Sequence, residues 1–306
     1  MTLEQLRIFV AVAQRSHLTR AAEALSLTPS ALSSALRNLE ERYGVLLFDR
    51  IGRGIALTEP GRAFLVFAQA TLHSAGVAEQ ALHELAGTEG GRIRVRVSQT
   101  IASYWLPKRL MHFRQRFPGL EIELEVGNTR TVSQAINEGV ADLGLVEGEV
   151  DARSLEVTPI GFDRLVVVVA PHHPWATGAP VAWLDLTASA WVSRESGSGT
   201  RSVFEEVLRQ HGIAPQALHT VLSLPSNEAV LNAVEASACA AALSELAAAP
   251  ALQTGRLARA GVALPPRTFN LLAHREHSRT RATQALVDFL LTPEDGDPDS
   301  AAMPKG

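Results

Sequence analysis

Four polar side chains recur on one face of a short segment near the start of the chain, Ser30, Ser33, Ser34 and Arg37, and a fifth polar residue, Thr28, precedes them. Leu32, Leu36 and Leu39 recur at three- and four-residue spacing, which predicts a helix with its apolar stripe on a different face. Thr28 can cap that helix, and Pro29 suits its first position because the missing N–H costs nothing there. A small polar face that ends in a guanidinium suits a helix that enters a DNA major groove.

Two hydroxyl-rich segments later in the chain have a different chemistry: residues 98–100 (S-Q-T) and residues 196–200 (S-G-S-G-T). Each follows a predicted strand and opens a predicted helix, so it presents backbone amides and hydroxyls in front of the positive end of a helix dipole. The glycines of the second segment let a ligand approach the backbone closely. Both segments suit a small anion, although serine and threonine are also the ordinary capping residues of helices.

The polar face that ends in Arg37 has to be positioned by the segment at residues 16–43. These residues predict two short helices joined by a tight corner at residues 25–27, and Ala21 and Ala22 let the two helices approach closely. This is a helix-turn-helix pattern. An αα-hairpin inside a larger helical protein gives the same pattern, so this segment alone leaves both interpretations open.

Further elements flank this segment. A helix predicted over residues 2–14 completes a three-helix head, and two short strands around the Gly-Arg-Gly turn at residues 52–54 predict a β-hairpin wing. Arg50 and Arg53 would project from the wing and meet phosphates or an adjacent minor groove. A solvated hairpin with incidental arginines is the alternative.

A long helix follows the wing, capped by Thr58 and ended by glycines at positions 87, 90 and 91. Its apolar residues run from Phe64 to Leu85, which is more apolar surface than one small head can cover. Pairing with a second copy in coiled-coil fashion would use this surface and would supply the two half-sites that such DNA readers need. Packing on its own chain is the alternative.

From Arg92 onward, strands alternate with helices. Predicted strands cover residues 92–97, 120–126, 142–146, 155–160, 165–170, 190–194, 219–223, 238–243 and 269–273. Predicted helices cover residues 101–117, 129–137, 200–211, 227–236 and 280–291. This alternation predicts βαβ units, a parallel sheet and an α/β fold. Residues 292–306 are rich in Pro, Gly and Asp, which predicts a disordered tail.

The composition excludes several classes of protein. A chain of 306 residues predicts two or three domains, and no run of about 18 apolar residues predicts a membrane span. The N-terminus lacks the pattern of a secretory signal, and the single cysteine, Cys239, excludes an internal disulfide, so a cytoplasmic location is expected. Because the net charge is −4, DNA contact must come from a local patch.

Together these segments resemble a LysR-type transcriptional regulator from Leu3 to about Leu291. The motifs that carry the resemblance are L-T-R-A-A-E-A-L, T-P-S-A-L-S-S-A-L-R-N-L-E, L-F-D-R, G-I-A-L-T-E-P-G, A-D-L-G-L-V-E-G and R-E-S-G-S-G-T-R. The last two resemble the branch that regulates sulfur or carbon dioxide assimilation. The resemblance implies a winged helix-turn-helix domain (1–58), a linker and dimerisation helix (59–90) and an effector-binding domain like periplasmic binding proteins (91–291).

The resemblance also implies homodimers and frequent homotetramers, contact with RNA polymerase, and two lobes, about 91–159 with 268–291 and about 160–267. A ligand would lie between the lobes, near helix N-termini at the carboxyl ends of strands. The residues predicted to bind it are Ser98, Gln99, Thr100, Asn128, Thr129, Glu147, Ser196, Ser198 and Thr200. Glu147 is ambiguous, since it can contact the ligand or pair with Arg194 or Arg201, and the pairing is favoured.

Three positions depart from the family pattern. Pro29 stands where glutamine is common, and Ser34 stands where many members carry a basic residue, which leaves Arg37 as the main cation of the second helix. Residues 237–239 (S-A-C) replace a small Gly-x-Gly segment.

The sequence offers little for catalysis. Phosphate-loop and nucleophile-elbow motifs are missing, and His274 and His277 lack the H-E-x-x-H order, so no enzyme activity, cofactor or resident metal is expected. The leading prediction is a DNA-binding regulator that senses a small anionic metabolite. A cytoplasmic solute-binding protein without direct gene regulation is the alternative.

Overall fold

The computed structural model describes residues 1–51, 54–85 and 90–292. The chain forms two compact units, one with the N-terminal helices and one with most of the chain from residue 89 onward. No helix within the described ranges is long and apolar enough to cross a bilayer. Arg53, the side chain of Arg50 and the predicted tail from residue 293 lie outside the described part.

The first unit contains the predicted three-helix head and wing. Its elements are α1 (Leu3–Arg15), α2 (Leu18–Ala24), α3 (Pro29–Tyr43), β1 (Phe48–Ile51), β2 (Gly54–Leu57) and α4 (Glu59–Leu85). The apolar stripes meet in one core whose buried side chains include Leu6, Phe9, Val12, Ala21, Ala22, Leu32, Leu36 and Leu39. The helix-turn-helix prediction is therefore confirmed, and α3 is its second helix.

Contacts near Leu47 fix the wing and α4 against α3. The Glu40 carboxylate of α3 accepts hydrogen bonds from the backbone N–H groups of Leu47 (2.7 Å) and Phe48 (3.1 Å), where β1 begins. A Cβ on Gly61, in the first turn of α4, would lie 2.0 Å from the Leu47 carbonyl oxygen. Only glycine allows α4 to begin at this place.

The second unit is built on a nine-stranded sheet of order β4-β3-β5-β11-β6-β9-β7-β8, with β10 beside β6. The strands are β3 (Gly91–Ser98), β4 (Leu120–Gly127), β5 (Leu143–Glu147), β6 (Leu155–Val169), β7 (Ala190–Arg194), β8 (His219–Leu224), β9 (Ala240–Ser244), β10 (Ala258–Arg259) and β11 (Pro266–His274). The helices are α5 (Leu106–Arg116), α6 (Thr129–Asn137), α7 (Gly199–Gln210), α8 (Asn227–Glu235), α9 (Glu245–Gln253) and α10 (Arg281–Leu291).

Two lobes share this sheet. The first contains β3 to β5 with α5, α6 and α10, and the second contains β7 to β10 with α7 to α9. Strand β6 runs through both lobes, and β11 returns the chain to the first. The four valines at the end of β6 are buried in the second lobe, as their continuous apolar run predicts.

The predicted parallel pairing is confirmed for β3 with β4 and β5 and for β7 with β8 and β9. The sheet is nevertheless mixed, because β6 pairs antiparallel with β9, β10 and β11, and β11 also pairs antiparallel with β5. These antiparallel pairs arise where the chain crosses between lobes. The two strands predicted at residues 155–160 and 165–170 are one strand of 15 residues. Its irregularity near Pro159 is taken up by a register shift opposite Phe269 and Asn270.

Two helical segments differ from the prediction. The helix predicted over residues 101–117 begins as a π-helical turn, Ile101–Trp105, and becomes α-helical only from Leu106. Pro107 lacks the N–H that a continuous α-helix needs at that position. Helix α9 was not predicted, because Pro250 lies inside it and its alanine-rich sequence has no amphipathic pattern.

Candidate effector site and nucleic-acid interface

The polar face of α3 is accessible. Thr28, Ser30, Ser34 and Arg37 are exposed and Ser33 is half-buried. The Thr28 hydroxyl accepts a hydrogen bond from the backbone N–H of Ala31 (3.2 Å) and lies 3.1 Å from the Ser30 hydroxyl. Thr28 therefore caps the helix, and the helix presents three further hydroxyls and one guanidinium to solvent.

The predicted effector residues lie at the carboxyl ends of strands, where the two lobes face each other. We call this region the interlobe cleft, and its buried members are Ser98, Thr100, Thr129, Glu147, Ser198 and Thr200. Gln99, Asn128 and Ser196 lie at its margins. The structure therefore brings together the hydroxyl-rich segments that are far apart in sequence.

A buried ionic network occupies the centre of the interlobe cleft. Arg267 donates to one Asp163 oxygen from Nε (2.9 Å) and Nη2 (2.6 Å), and to the Thr200 hydroxyl from Nη1 (2.9 Å). The same Nη1 lies 3.7 Å from the Glu147 carboxylate, which accepts a short hydrogen bond from Ser98. Arg267 therefore joins strands of both lobes.

The favoured pairing of Glu147 is therefore wrong. Arg194 pairs with Glu195 (2.9 Å), and Arg201 pairs with Glu205 (2.6 Å). Arg267 and Asp163 were missed because the prediction for β11 began only at Phe269. The sequence did contain a signal for this pair, since a lone charge beside a long apolar strand suggests a buried ion pair. In the structure, Arg267 and Asp163 are directly opposite each other on adjacent strands.

Hydrogen bonds on one margin hold the lobes together, and we call this group the latch. Gln99 and Tyr104 of the first lobe donate to the Glu228 carboxylate, Gln99 at 2.9 and 3.1 Å and Tyr104 at 2.7 Å. The Asn227 amide donates to the Thr100 hydroxyl (3.1 Å) and accepts from Arg194 (2.9 Å).

The ionisation of the latch follows from these contacts. Burial raises the pKa of the Tyr104 hydroxyl, and its hydrogen bond to Glu228 raises this pKa further. Burial alone would raise the pKa of Glu228, but hydrogen bonds from groups that include Tyr104 and Gln99 outweigh it and lower this pKa. The latch therefore has an ionised carboxylate that accepts from two neutral donors.

Further contacts close a second margin of the cleft. Asn128 donates to the Glu195 carboxylate (3.2 Å), and Arg130 donates to the Ser196 hydroxyl (3.2 Å). The Arg130 backbone N–H also donates to the carbonyl of Gly197, whose φ is +94°. Asn128 and Ser196 thus bind the other lobe.

Some buried polar atoms of the second unit have no hydrogen-bond partner. Within the described residues, five buried side-chain N or O atoms have no hydrogen-bond partner, and four of them belong to Trp105, Asp163, Ser198 and Ser244 in the second unit. Ser198 and Ser244 precede α7 and α9, and neither hydroxyl caps its helix. Ordinary helix capping therefore does not explain why a hydroxyl is buried at Ser198.

The two lobes approach each other closely at Gly199. A Cβ on this glycine, at the start of α7, would lie 2.0 Å from the carbonyl oxygen of Glu147 and 2.5 Å from the Thr129 hydroxyl. Glycine at this position lets the N-terminus of α7 enter the interlobe cleft.

A winged helix-turn-helix head followed by a long helix and a two-lobed α/β domain defines a class of ligand-responsive transcription regulators. Residues 3–62 match the bacterial regulatory helix-turn-helix proteins of the lysR family, and residues 86–292 match the LysR substrate binding domain. The chain belongs to the LysR family of transcriptional regulators, and these matches disfavour a solute-binding protein that does not regulate genes.

Two relatives are similar along most of their length. An HTH-type transcriptional regulator of Escherichia coli, YeiE, is 36% identical over 291 residues, which are 94% of this chain and 97% of the relative. A probable RuBisCO transcriptional regulator of Cyanophora paradoxa is 34% identical over 84% of this chain and 80% of its own. The second relative supports the carbon-assimilation branch.

Solved structures show the same fold. A full-length OxyR variant from Pseudomonas aeruginosa superposes with a TM-score of 0.68 at 22% identity, over 95% of this chain and 94% of its own. The regulatory domain of Synechocystis CcmR, solved with 2-PG, has a TM-score of 0.60 at 25% identity, over 66% of this chain and 96% of its own.

Proposed function

We propose that this regulator binds promoter DNA through the polar face of α3 and the wing, and that a small anion in the interlobe cleft controls it. The observation that carries the effector proposal is the buried Ser198 hydroxyl, which has no protein partner and lies at the N-terminus of α7. The similarity to a CcmR domain solved with 2-PG supports a small-molecule effector.

The ionic network contains two carboxylates, those of Asp163 and Glu147, and only one guanidinium, that of Arg267. Because this leaves no excess of positive charge, an anion has to be recognised by hydrogen-bond donors and the helix dipole. Hydroxyls and the backbone N–H groups at the start of α7 can donate to oxyanion oxygens. One oxygen of Asp163 also lacks a partner and can only accept when ionised. The effector class that satisfies both atoms is an oxyanion with a hydrogen of its own to donate, such as a hydroxycarboxylate.

The Ser198→Ala variant tests the effector site. It should weaken binding of the responsive anion by about tenfold or more, because one hydrogen bond to a charged group is lost. The protein should not lose thermal stability, because the hydroxyl has no protein partner. A thermal-shift screen of sulfite, sulfate, thiosulfate and carboxylates on the full chain identifies the anion, and calorimetry measures its affinity.

Ser202→Ala is the matched control, since its hydroxyl donates within α7 to Gly199 (3.1 Å) and should not affect anion affinity. Equal anion affinities for wild type and Ser198→Ala would contradict the proposed site.

The Arg37→Ala variant tests the DNA interface. Loss of a phosphate or base contact should weaken binding to a duplex selected from random DNA, and loss of a phosphate contact should lower the salt slope by about 1. Arg7→Ala is the control, because Arg7 is another exposed arginine of the head, on α1, near Glu4 (3.9 Å). If both variants bind DNA alike, α3 is not the reading helix.

We also propose that α4 pairs with a second copy, in a dimer or a dimer of dimers. On α4, Phe67 is 69% exposed and Leu82 is 68% exposed, so the described part of a single chain leaves these apolar side chains uncovered. The proposed division places the DNA-binding domain at 1–58, the linker at 59–90 and the effector domain at 91–291. Effector binding would shift the populations of lobe arrangements and thereby the spacing of the heads and their contact with RNA polymerase.

A further inference from the structure

A cavity of about 550 Å³ lies in the second lobe. It is lined by residues of α7, the turn Pro215–Ala217 and strands β7 and β8, so it is separate from the ionic network of Arg267. This volume lies within the usual range for small-molecule sites. None of the residues predicted to bind the effector lines it.

The floor and the mouth of this cavity differ in chemistry. Trp191 and Phe204, whose ring centroids are 5.2 Å apart, form an apolar floor with Leu208 and Leu218. The Trp191 N–H is already used, since it donates to the Leu186 carbonyl (2.8 Å). All four side chains are at most 9% exposed, so the floor is a packed apolar surface that presents only a small part of each side chain to the cavity.

Arg201 supplies a cation at the mouth. Its side chain is about one-third exposed and pairs through Nε with Glu205 (2.6 Å). Glu205 also lies 3.5 Å from Arg209, so it has a second cation to bind if a ligand takes Arg201. Its Nη1 makes only a long hydrogen bond, to the carbonyl of Arg194 (3.4 Å). A guanidinium whose terminal nitrogens can turn towards a ligand favours a carboxylate.

We infer that this cavity is a second small-molecule site, which takes a carboxylic acid with an aromatic or apolar body. The body lies against the apolar floor, and the carboxylate accepts hydrogen bonds from Arg201. This inference goes beyond the effector proposed for the interlobe cleft and does not depend on it.

The location of the cavity links it to the interlobe cleft. Helix α7 borders both, with Gly199 and Thr200 at the cleft and Phe204 and Leu208 at the cavity. Arg201 also donates to the carbonyl of Arg194 (3.4 Å), whose guanidinium binds Asn227 in the latch. A ligand that moves α7 or Arg201 therefore changes lobe closure, and by linkage the effector changes the affinity of the cavity.

Binding of indole-3-acetate to the full-length protein tests this inference, with indole-3-acetamide as its neutral counterpart. In isothermal titration calorimetry, indole-3-acetate should bind saturably, and it should bind at least about tenfold more weakly to Arg201→Gln. The acetamide should bind weakly and equally to wild type and Arg201→Gln. Ala217→Trp, which fills the mouth, should abolish binding of both compounds.

Two controls separate the cavity from other surfaces. Arg256→Gln removes an ion-paired arginine of the same lobe, 2.6 Å from Glu235 and outside the cavity, and should leave affinity unchanged. Ser198→Ala should also leave it unchanged, since Ser198 belongs to the interlobe cleft. The inference is overturned if indole-3-acetate shows no saturable binding at millimolar concentration, or if Arg201→Gln and Ala217→Trp bind it as wild type does.

Discussion

Replacement of Arg267 with methionine is expected to lower the free energy of unfolding of the effector domain by about 3–5 kcal/mol. Arg267 is 4% exposed and lies between the carboxylates of Asp163 and Glu147. Removing the cation leaves two buried carboxylates close together without compensation. Urea unfolding followed by tryptophan fluorescence measures the effect, and all four tryptophans lie after residue 90, so the signal reports this domain.

Two further variants isolate the buried charge as the cause. Arg259→Met removes an exposed arginine that pairs with Glu245, and such surface pairs contribute about 1 kcal/mol or less. The double variant Arg267→Met with Asp163→Asn should recover part of the lost stability, because one uncompensated carboxylate is removed. A loss for Arg267→Met no larger than that for Arg259→Met would contradict the role of the ionic network.

Local patterns predicted the head well. The stripe Leu32, Leu36 and Leu39 and the cap at Thr28 each depend on residues a few positions apart, and all appear in the structure as predicted. The contact between Gly61 and the Leu47 carbonyl involves two elements, and no local pattern indicates it. The helices and strands could therefore be predicted from the sequence, but the close contacts between them could not.

The sheet was likewise predicted only in part. Alternation of strands and helices predicted α/β architecture, but strand direction depends on where the chain crosses between lobes. The continuous β6 was divided in the prediction at residues 161–164 (G-F-D-R), where a glycine and two charged residues interrupt the apolar pattern. In the structure, Pro159 lies opposite Asn270 at a register shift, which a single sequence does not reveal.

The interlobe cleft was predicted in part. Hydroxyls at helix N-termini gave Ser98, Thr100 and Ser198 as candidates, because that signal is local. The pairing of Arg267 with Asp163 spans about a hundred positions of sequence and depends on strand register, so Glu147 was assigned to nearer arginines. Gln99 was assigned to the ligand, but its side chain binds Glu228 and the backbone N–H of Asn227.

Lobe closure depends on two kinds of contact. The first is the hydrogen bonds between polar groups at the margins of the cleft, and the second is the close approach of α7 to the first lobe at Gly199. The latch and the contacts of the second margin are built from polar groups that water can satisfy when the lobes separate, so their net stabilisation of the closed form is modest. Gly199 acts differently, because it sets how near α7 can come to Glu147. A change at this glycine should therefore open the lobes even with every latch residue intact.

The Gly199→Ala variant is accordingly expected to separate the lobes and abolish saturable anion binding. The added Cβ would lie 2.0 Å from the Glu147 carbonyl oxygen and 2.9 Å from its carbon, which are backbone atoms that cannot turn aside. Hydrogen exchange of the full-length protein measures the effect. Amide protection should fall by about tenfold or more at Asn227, whose N–H donates to Gln99 across the cleft (3.1 Å).

Gly90→Ala is the matched control, since its Cβ would meet only the Gly119 carbonyl oxygen, at an ordinary 3.6 Å. Protection within the valine run of β6 should stay at the wild-type level in both variants, because that strand is buried within the second lobe. A general loss there would mean that Gly199→Ala unfolds the lobe. Unchanged protection at Asn227 would mean that α7 shifts instead, and that Gly199 does not control closure.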